Sequence, residues 1–145
     1  MKKVMIVVAI IFSILFVIYL WSNSQSKAKG LHDNQLAVCD QNMNAASSHP
    51  KSVGSLDPIK VTSKMTLAEI KNTVLKSLER TELIKEEGDY LHFECKTKLM
   101  RYVDDLELFY DKNSNHLHFR SVSRVGKSDL GVNKQRIETL RKAFK

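Results

Sequence analysis

The sequence is poor in cysteine, and this limits what the chain can bind. It contains two cysteines, Cys39 and Cys95, which lie far apart and belong to no CxxC pair, and its five histidines are scattered. The sequence therefore predicts no metal site, and we expect no other cofactor. An exported compartment would permit a disulfide between the two cysteines, but their spacing alone does not show that they meet.

Motifs for nucleotide binding and nucleophilic catalysis are also missing. No GxxxxGK[ST] segment occurs, and Gly126 and Gly131 are not spaced as in GxGxxG. Ser121 and Ser123 are not part of a nucleophile elbow. Aromatic residues are not interleaved with the arginines of this region, which argues against binding of single-stranded nucleic acid.

Acidic residues are absent from the first 29 positions, so the basic charge is unevenly distributed. Four of the 23 basic residues and none of the 16 acidic residues precede residue 30, which leaves a net charge of about +3 for residues 30–145. That charge is too small to indicate a nucleic-acid partner, and we expect none.

Residues 4–21 carry no charge and form one long apolar run. A helix of this length spans about 27 Å, close to the hydrocarbon core of a bilayer. Tyr19 and Trp21 lie at its far end, where aromatic rings favour the membrane interface. A cleaved signal peptide is the alternative, but it needs a shorter apolar region and a better cleavage site than Ser22–Ser24. We predict a short tail at 1–3 and a transmembrane signal anchor at 4–21, with the domain on the extracytoplasmic (periplasmic) side of the cell membrane.

The remainder of the chain is predicted to consist of a linker and one domain. Residues 22–58 are rich in Ser, Asn, Gly and Pro and have no apolar period, which indicates a linker or an irregular strap packed on the domain. Residues 59–145 are predicted to form the domain. Thr66 and Glu69 form a capping-box pattern at the start of a helix, and apolar residues then recur at helical spacing.

Three alternating segments follow this helix: "YLHFECK", "YVDDLELFYD" and "HLHFRSVS". Each predicts a strand, and "DKNSN" between the last two predicts a hairpin turn. A second helix is predicted from about Val132. The expected fold is a small α+β domain of order α-β-β-β-α, with an antiparallel sheet and both helices on one face.

The second strand carries a group of carboxylates. Asp104 and Asp105 are adjacent and must point to opposite faces, whereas Asp105 and Glu107 share a face with about 7 Å between their α-carbons. Three interpretations are open for this pair. The carboxylates can pair with Arg120 and Arg124, which follow from the hairpin partner strand. They can instead help to bind a ligand, or act as the acid and base of a hydrolase.

The segment "YVDDLELFYD…HLHFRSVSRVGKSDLGVNKQRIETLR" resembles the domain-of-unknown-function family 1499, whose members carry a "FVDDVEF" strand and a closing motif of the form "RSASRxGxSDxGxNRxRVExLR". The resemblance covers roughly residues 36–144. It implies a fold and a tendency towards an exported compartment, but no reaction. The N-terminal part departs from the family pattern, because Ala45 stands where many members have a second cysteine. A local disulfide with Cys39 is therefore not expected.

The stretch from Arg120 to Arg136 permits two interpretations. In the first it is a joint in which Gly126 and Gly131 allow turns and Ser128 or Asp129 caps the last helix. In the second it is the rim of an anion site. The predicted anion-binding residues are Arg120, Arg124, Arg136, Ser123 and Asn133. The predicted structural ion-pair network comprises Asp104, Asp105, Glu107 and Asp129.

The sequence as a whole predicts a membrane-anchored protein without enzyme activity. We expect a binding or accessory module for an anionic or lipid-like ligand near the membrane, with the membrane itself as a partner through the N-terminal helix. The alternative is a hydrolase that uses Asp105 and Glu107. The sequence names no protein partner.

Overall fold

A computed structural model of the chain describes residues 1–41, 43–61, 64–126 and 130–145. In these ranges it contains three helices, α1 (Lys2–Ser24), α2 (Leu67–Ser77) and α3 (Val132–Ala143). The strands are β1 (Leu31–His32), β2 (Gln35–Leu36), β3 (Ala45–Ser47), β4 (Ile59–Lys60), β5 (Thr81–Glu87), β6 (Tyr90–Lys96), β7 (Val103–Asp111) and β8 (His116–Ser123).

Helix α1 has the length and composition of a membrane span. It runs for 23 residues with a mean hydropathy of 3.0, and none of the residues in its apolar window is buried. Its C-terminal end contacts the domain through Tyr19 and Asn23. The chain therefore has one N-terminal helix that can serve as a membrane anchor or a signal sequence.

The predicted α+β class with an antiparallel sheet is confirmed. The sheet has the strand order β3-β8-β7-β6-β5, and β4 also pairs with β8. It therefore has more strands than the three predicted. Strand β5 was missed because five of its seven residues are exposed and its sequence, "TELIKEE", carries four charges. Such charges are common on an edge strand, where they discourage pairing with another chain.

Both domain helices pack on the same face of the sheet, as predicted. The apolar core lies between these helices and the sheet. Phe93, Leu106 and Phe119 of the sheet are fully buried there, together with helix residues such as Ile70 and Leu140. Burying one side chain of this size contributes about 1.5–3 kcal/mol. The predicted capping box of α2 is present. The Glu69 amide donates to Thr66 Oγ1 at 3.2 Å, and the Thr66 amide donates to Glu69 Oε2 at 2.7 Å.

The opposite face of the sheet is covered by residues from the segment 22–58, for which the sequence indicated irregular chain. Residues 23–30, which we call the strap, leave the end of α1 and cross the charged side chains of β7 and β8. Strands β1 and β2 form a short hairpin after the strap. Strand β3 then joins the sheet beside β8, with Ala46 opposite Ser121. The sheet is thus covered by helices on one face and by irregular chain on the other.

Candidate functional site

The charged residues of the strap-covered face are placed by the strand register. Glu107 of β7 lies between His92 of β6 and Arg120 of β8, and Asp105 lies beside Glu94. Because side chains alternate along a strand, all of these residues face the strap while their neighbours face the helices. The register therefore gathers acidic and basic side chains into one buried cluster.

Glu107 is fully buried, and both of its oxygens accept hydrogen bonds. Oε2 lies 2.5 Å from a guanidinium nitrogen of Arg120, and both side chains of this pair are 0 % exposed. Oε1 accepts from the Tyr90 hydroxyl at 2.8 Å and from the backbone amides of Lys29 and Gly30 at 2.9 and 2.8 Å. Burial and the neighbouring Glu107 carboxylate raise the pKa of Tyr90 well above its usual range, so its hydroxyl stays a donor.

Asp105 has an equally complete set of donors. Arg124 binds it in a bidentate manner, with Nε 2.9 Å from Oδ2 and a terminal nitrogen 2.7 Å from Oδ1. The Lys27 amide donates to Oδ2 at 2.7 Å, and Nε2 of His92 lies 2.8 Å from Oδ1. Burial opposes ionisation, but the bonds from Arg124, His92 and Lys27 hold the pKa of Asp105 well below its usual range. The hydrogen bonds that the Asp105 carboxylate accepts from Arg124 in turn raise the pKa of Arg124 above its usual range.

The arginines on this face also bind the strap through its carbonyl groups. Arg120 donates to the carbonyl of Lys27 at 2.9 Å, and Arg124 donates to the carbonyl of Asn23 at 3.0 Å. The strap therefore gives amide donors to the carboxylates and carbonyl acceptors to the arginines. The side chains of Asn23, Ser26 and Lys27 add further hydrogen bonds to the domain, so the strap is held through both its backbone and its side chains.

Asp104 points to the helix face, as the strand alternation predicts, and belongs to a separate polar cluster. Arg136 of α3 lies 2.6 Å from Oδ2 of Asp104 and donates to the Ser121 hydroxyl and to Oδ1 of Asn133, both at 2.7 Å. Asn133 donates to the Ser123 hydroxyl at 3.0 Å. This cluster fastens the start of α3 to β7 and β8.

The predicted anion-binding residues are divided between the two faces and are all buried. Arg120 and Arg124 face the strap, whereas Arg136, Ser123 and Asn133 belong to the cluster under α3. Each arginine is paired with at least one carboxylate. Of the residues predicted for the ion-pair network, Asp104, Asp105 and Glu107 lie in these pairs, and Asp129 lies outside the described residues.

The prediction that Ser128 or Asp129 caps α3 falls outside the described residues, and the observed N-cap residue of α3 is Gly131. It has φ +82°, in the left-handed region, and makes no side-chain cap. Gly126 also has a positive φ of +88°. These angles agree with the interpretation of this stretch as a joint, because glycine adopts them without steric cost.

The cysteines lie on different faces of the sheet and are both free thiols. Cys39 lies near Arg120, and its amide donates to Ser52 Oγ at 2.9 Å, whereas Cys95 belongs to the core under the helices. Burial raises the pKa of both thiols. A disulfide between them would have to cross the sheet, which this fold does not allow.

Sequence reasoning did not find a groove that opens beside the end of α1. Its volume is about 330 Å³, and its lining includes Leu99, Met100, Tyr102, Val125, Leu130 and Val132. The turn at Lys98–Arg101 forms one wall and contacts α1 directly. Tyr19 donates from its hydroxyl to the Met100 carbonyl at 2.6 Å, and its ring meets Tyr102 edge-on. The signal that could have indicated it is "KLMR", two apolar residues between two basic ones at the end of a strand.

Comparison with known proteins supports a family assignment. A family model described as "Protein of unknown function (DUF1499)" matches residues 35–144. No curated protein and no solved structure gave a match. The matched region contains the sheet, both domain helices and all of the buried arginine–carboxylate pairs, whereas α1 and the strap precede it. The chain belongs to the domain-of-unknown-function family 1499.

Proposed function

We propose that the protein is a non-enzymatic accessory module, anchored in the cell membrane by α1, that binds an anionic or lipid-like ligand on the extracytoplasmic side. The observation that carries this proposal is that the four buried charged residues Asp105, Glu107, Arg120 and Arg124 of the strap face all bind the strap. Asp105 and Glu107 hold the amides of Lys27, Lys29 and Gly30, the residues that follow the membrane helix. The domain is thereby held beside the point where the chain leaves the membrane.

The same contacts argue against the hydrolase alternative. A general acid or base needs a pKa near the working pH and an open approach to the substrate. The pKa of Asp105 lies far below that range, and both carboxylates are covered by the strap. A water or substrate could reach them only if the strap moved away. A role in holding the main chain accounts for their position without a reaction.

The contacts of the arginines that were predicted to bind an anion favour structural pairing over ligand binding. Arg120, Arg124 and Arg136 each face a carboxylate at 2.7 Å or less. An anion would have to displace that carboxylate and leave it buried without its partner, which costs several kcal/mol. A ligand of the proposed class is therefore better accommodated at the surface near α1 than within either buried cluster.

The proposal is tested by purifying the full chain from membranes in a mild detergent and identifying co-purifying molecules by native mass spectrometry. We expect an anionic or lipid-like molecule that is recovered unchanged after long incubation. Protease added to the extracytoplasmic side of sealed membranes should cut the exposed loop around Lys51. A ligand that is cleaved by the wild type but not by the Glu107→Gln variant would instead support the hydrolase. Protection of the domain from the protease would place it on the cytoplasmic side.

A further inference from the structure

The groove beside α1 combines protruding apolar side chains with flanking basic residues. Leu99 is 89 % exposed and Leu130 is 96 % exposed, although both are large apolar residues. Lys98 and Arg101 flank the turn that carries Leu99 and are also exposed. A surface with protruding apolar side chains between basic ones is typical of segments that lie in the headgroup region of a bilayer.

The position of this turn relative to α1 fixes its depth. Tyr19 lies two residues before Trp21, the last residue of the apolar run, and its hydroxyl binds the Met100 carbonyl at 2.6 Å. Asn23 donates from Nδ2 to the Arg101 carbonyl at 3.1 Å. Because a helix rises about 1.5 Å per residue, Met100 lies within a few ångströms of the end of the membrane-spanning run. The turn therefore meets the lipid wherever α1 is inserted.

The groove itself suits an apolar chain. Its volume of about 330 Å³ lies at the lower end of the range for ligand pockets, about 300–1,000 Å³. The polar residues at its edge are already occupied. Asp104 pairs with Arg136 at 2.6 Å, and the Ser123 hydroxyl accepts a hydrogen bond from Asn133. Its remaining lining is mostly apolar, whereas the flanking basic residues can meet an anionic headgroup.

We propose that this groove binds one acyl chain of an anionic lipid from the membrane that holds α1, with the Lys98–Arg101 turn at the level of the lipid headgroups. The inference rests on the proposed function, since it requires α1 to be a membrane anchor. It gives that function a place and a ligand class. The lipid enters sideways from the bilayer, so no transfer through water is needed.

The test uses the full chain in liposomes that contain a trace of phosphatidylglycerol with a photoactivatable group on its acyl chain. After illumination, labelled peptides are mapped by mass spectrometry. Labelling of residues 2–24 and of the Lys98–Arg101 turn reports lipid around α1, whereas labelling of Leu130 and Val132, which line the groove outside that turn, reports lipid in the groove. We expect both. Labelling confined to α1 and that turn would overturn the groove proposal while leaving the membrane anchor intact.

Two variants separate specific binding from chance contact. Leu99→Glu places a charge at the mouth of the groove and should lower groove labelling about tenfold or more, since it removes the burial of one leucine. Labelling of α1 should not change. The matched control is Val53→Glu, because Val53 is also apolar and 65 % exposed but lies outside the groove. Equal labelling of the groove in the two variants would contradict the proposal.

The choice of an anionic lipid is tested by competition. Unlabelled phosphatidylglycerol should reduce groove labelling severalfold more than phosphatidylcholine does. The double variant Lys98→Gln/Arg101→Gln should remove this preference, whereas Lys51→Gln/Lys60→Gln, at exposed positions outside the groove, should keep it. Equal competition by the two lipids in the wild type would contradict the anionic headgroup. Thermal melting of each variant in detergent should match the wild type, because the changed residues are exposed.

Discussion

The two faces of the sheet are stabilised in different ways, although the same strands supply both. Phe119 and Arg120 are neighbours in β8 and both are 0 % exposed, yet one packs among apolar side chains and the other binds a carboxylate and a carbonyl. Apolar packing tolerates small changes in shape at modest cost. A buried charge, in contrast, needs every partner in place. The strap face should therefore tolerate small, shape-conserving substitutions less well than the helix face, whereas truncation should be costly on both faces.

The largest effects are expected when Phe119 and Arg120, the two neighbours in β8, are each truncated to alanine. Phe119→Ala should lower the free energy of unfolding by about 3–5 kcal/mol, through the lost burial and the cavity. Arg120→Ala should cost a similar amount, about 3–5 kcal/mol, because Glu107 stays buried without its partner. Urea denaturation of the full chain in detergent measures both changes.

Hydrogen exchange then distinguishes the two variants where stability does not. Only Arg120→Ala should speed exchange of the amides of Lys29 and Gly30, since their acceptor Glu107 is disturbed. The double variant Arg120→Met/Glu107→Leu removes this one buried ion pair, but it also removes the acceptor of the Lys29 and Gly30 amides. Each orphaned amide costs about 1–3 kcal/mol, so the double variant should not recover wild-type stability. Full recovery would show that the strap contributes nothing to the fold.

A second, smaller effect concerns the charge on Asp105. Asp105→Asn weakens the hydrogen bonds from Arg124 and from the Lys27 amide. It should lower the free energy of unfolding by about 1.5–3 kcal/mol at pH 7. The folded-state pKa of Asp105 is lowered, so its stabilising contribution is complete above the unfolded value of about 3.9 and is lost as the pH falls below it. The difference between wild type and variant should therefore shrink as the pH falls from about 4, near the unfolded value, towards 2. Urea midpoints across this range are the measurement, and a pH-independent difference would be inconsistent with an ionised Asp105.

Much of the helix face could be predicted from the sequence, because periodicity reports burial directly. Local spacing predicts the helical stripe that contains Ile70 and Val74. It also predicts that Phe93 and Leu106 lie on the apolar side of their alternating strands. The alternation also placed Asp104 and Asp105 on opposite faces. These features depend on residues only a few positions apart, which is the range over which a sequence pattern carries structural information.

The strap and the groove could not be predicted, because they depend on contacts between distant segments. Lys27 meets Asp105 across 78 positions, and Tyr19 meets Met100 across 81. The strap binds through backbone groups and through three polar side chains, Asn23, Ser26 and Lys27, and neither leaves an apolar period in the sequence. Strand β5 was missed for a related reason, since its position at the sheet edge leaves most of its residues exposed. The amino-acid composition of the strap therefore resembles that of a linker.

The smallest effect we predict concerns Gly131, the N-cap residue of α3. Gly131 has φ +82°, and among the described residues no atom beyond its two chain neighbours lies within 4 Å of the position that a Cβ would occupy. A substitution there meets no clash, so its cost comes from the backbone alone. Gly131→Val should lower the free energy of unfolding by about 1–2 kcal/mol, because a side chain with a Cβ disfavours the left-handed region. Gly131→Asn should cost less, since asparagine tolerates that region.

Thermal melting of the full chain in detergent can resolve this series. The expected order of melting temperature is wild type, then Gly131→Asn, then Gly131→Val, with Lys134→Ala as an exposed control in the same helix that should change little. The order matters more than the size of the shifts, because asparagine tolerates both a positive φ and the N-cap position better than valine does. If asparagine and valine shift the melting temperature equally, or neither does, Gly131 does not hold α3 against the sheet through its backbone. The polar cluster of Asp104, Arg136 and Asn133 would then be what fixes the helix.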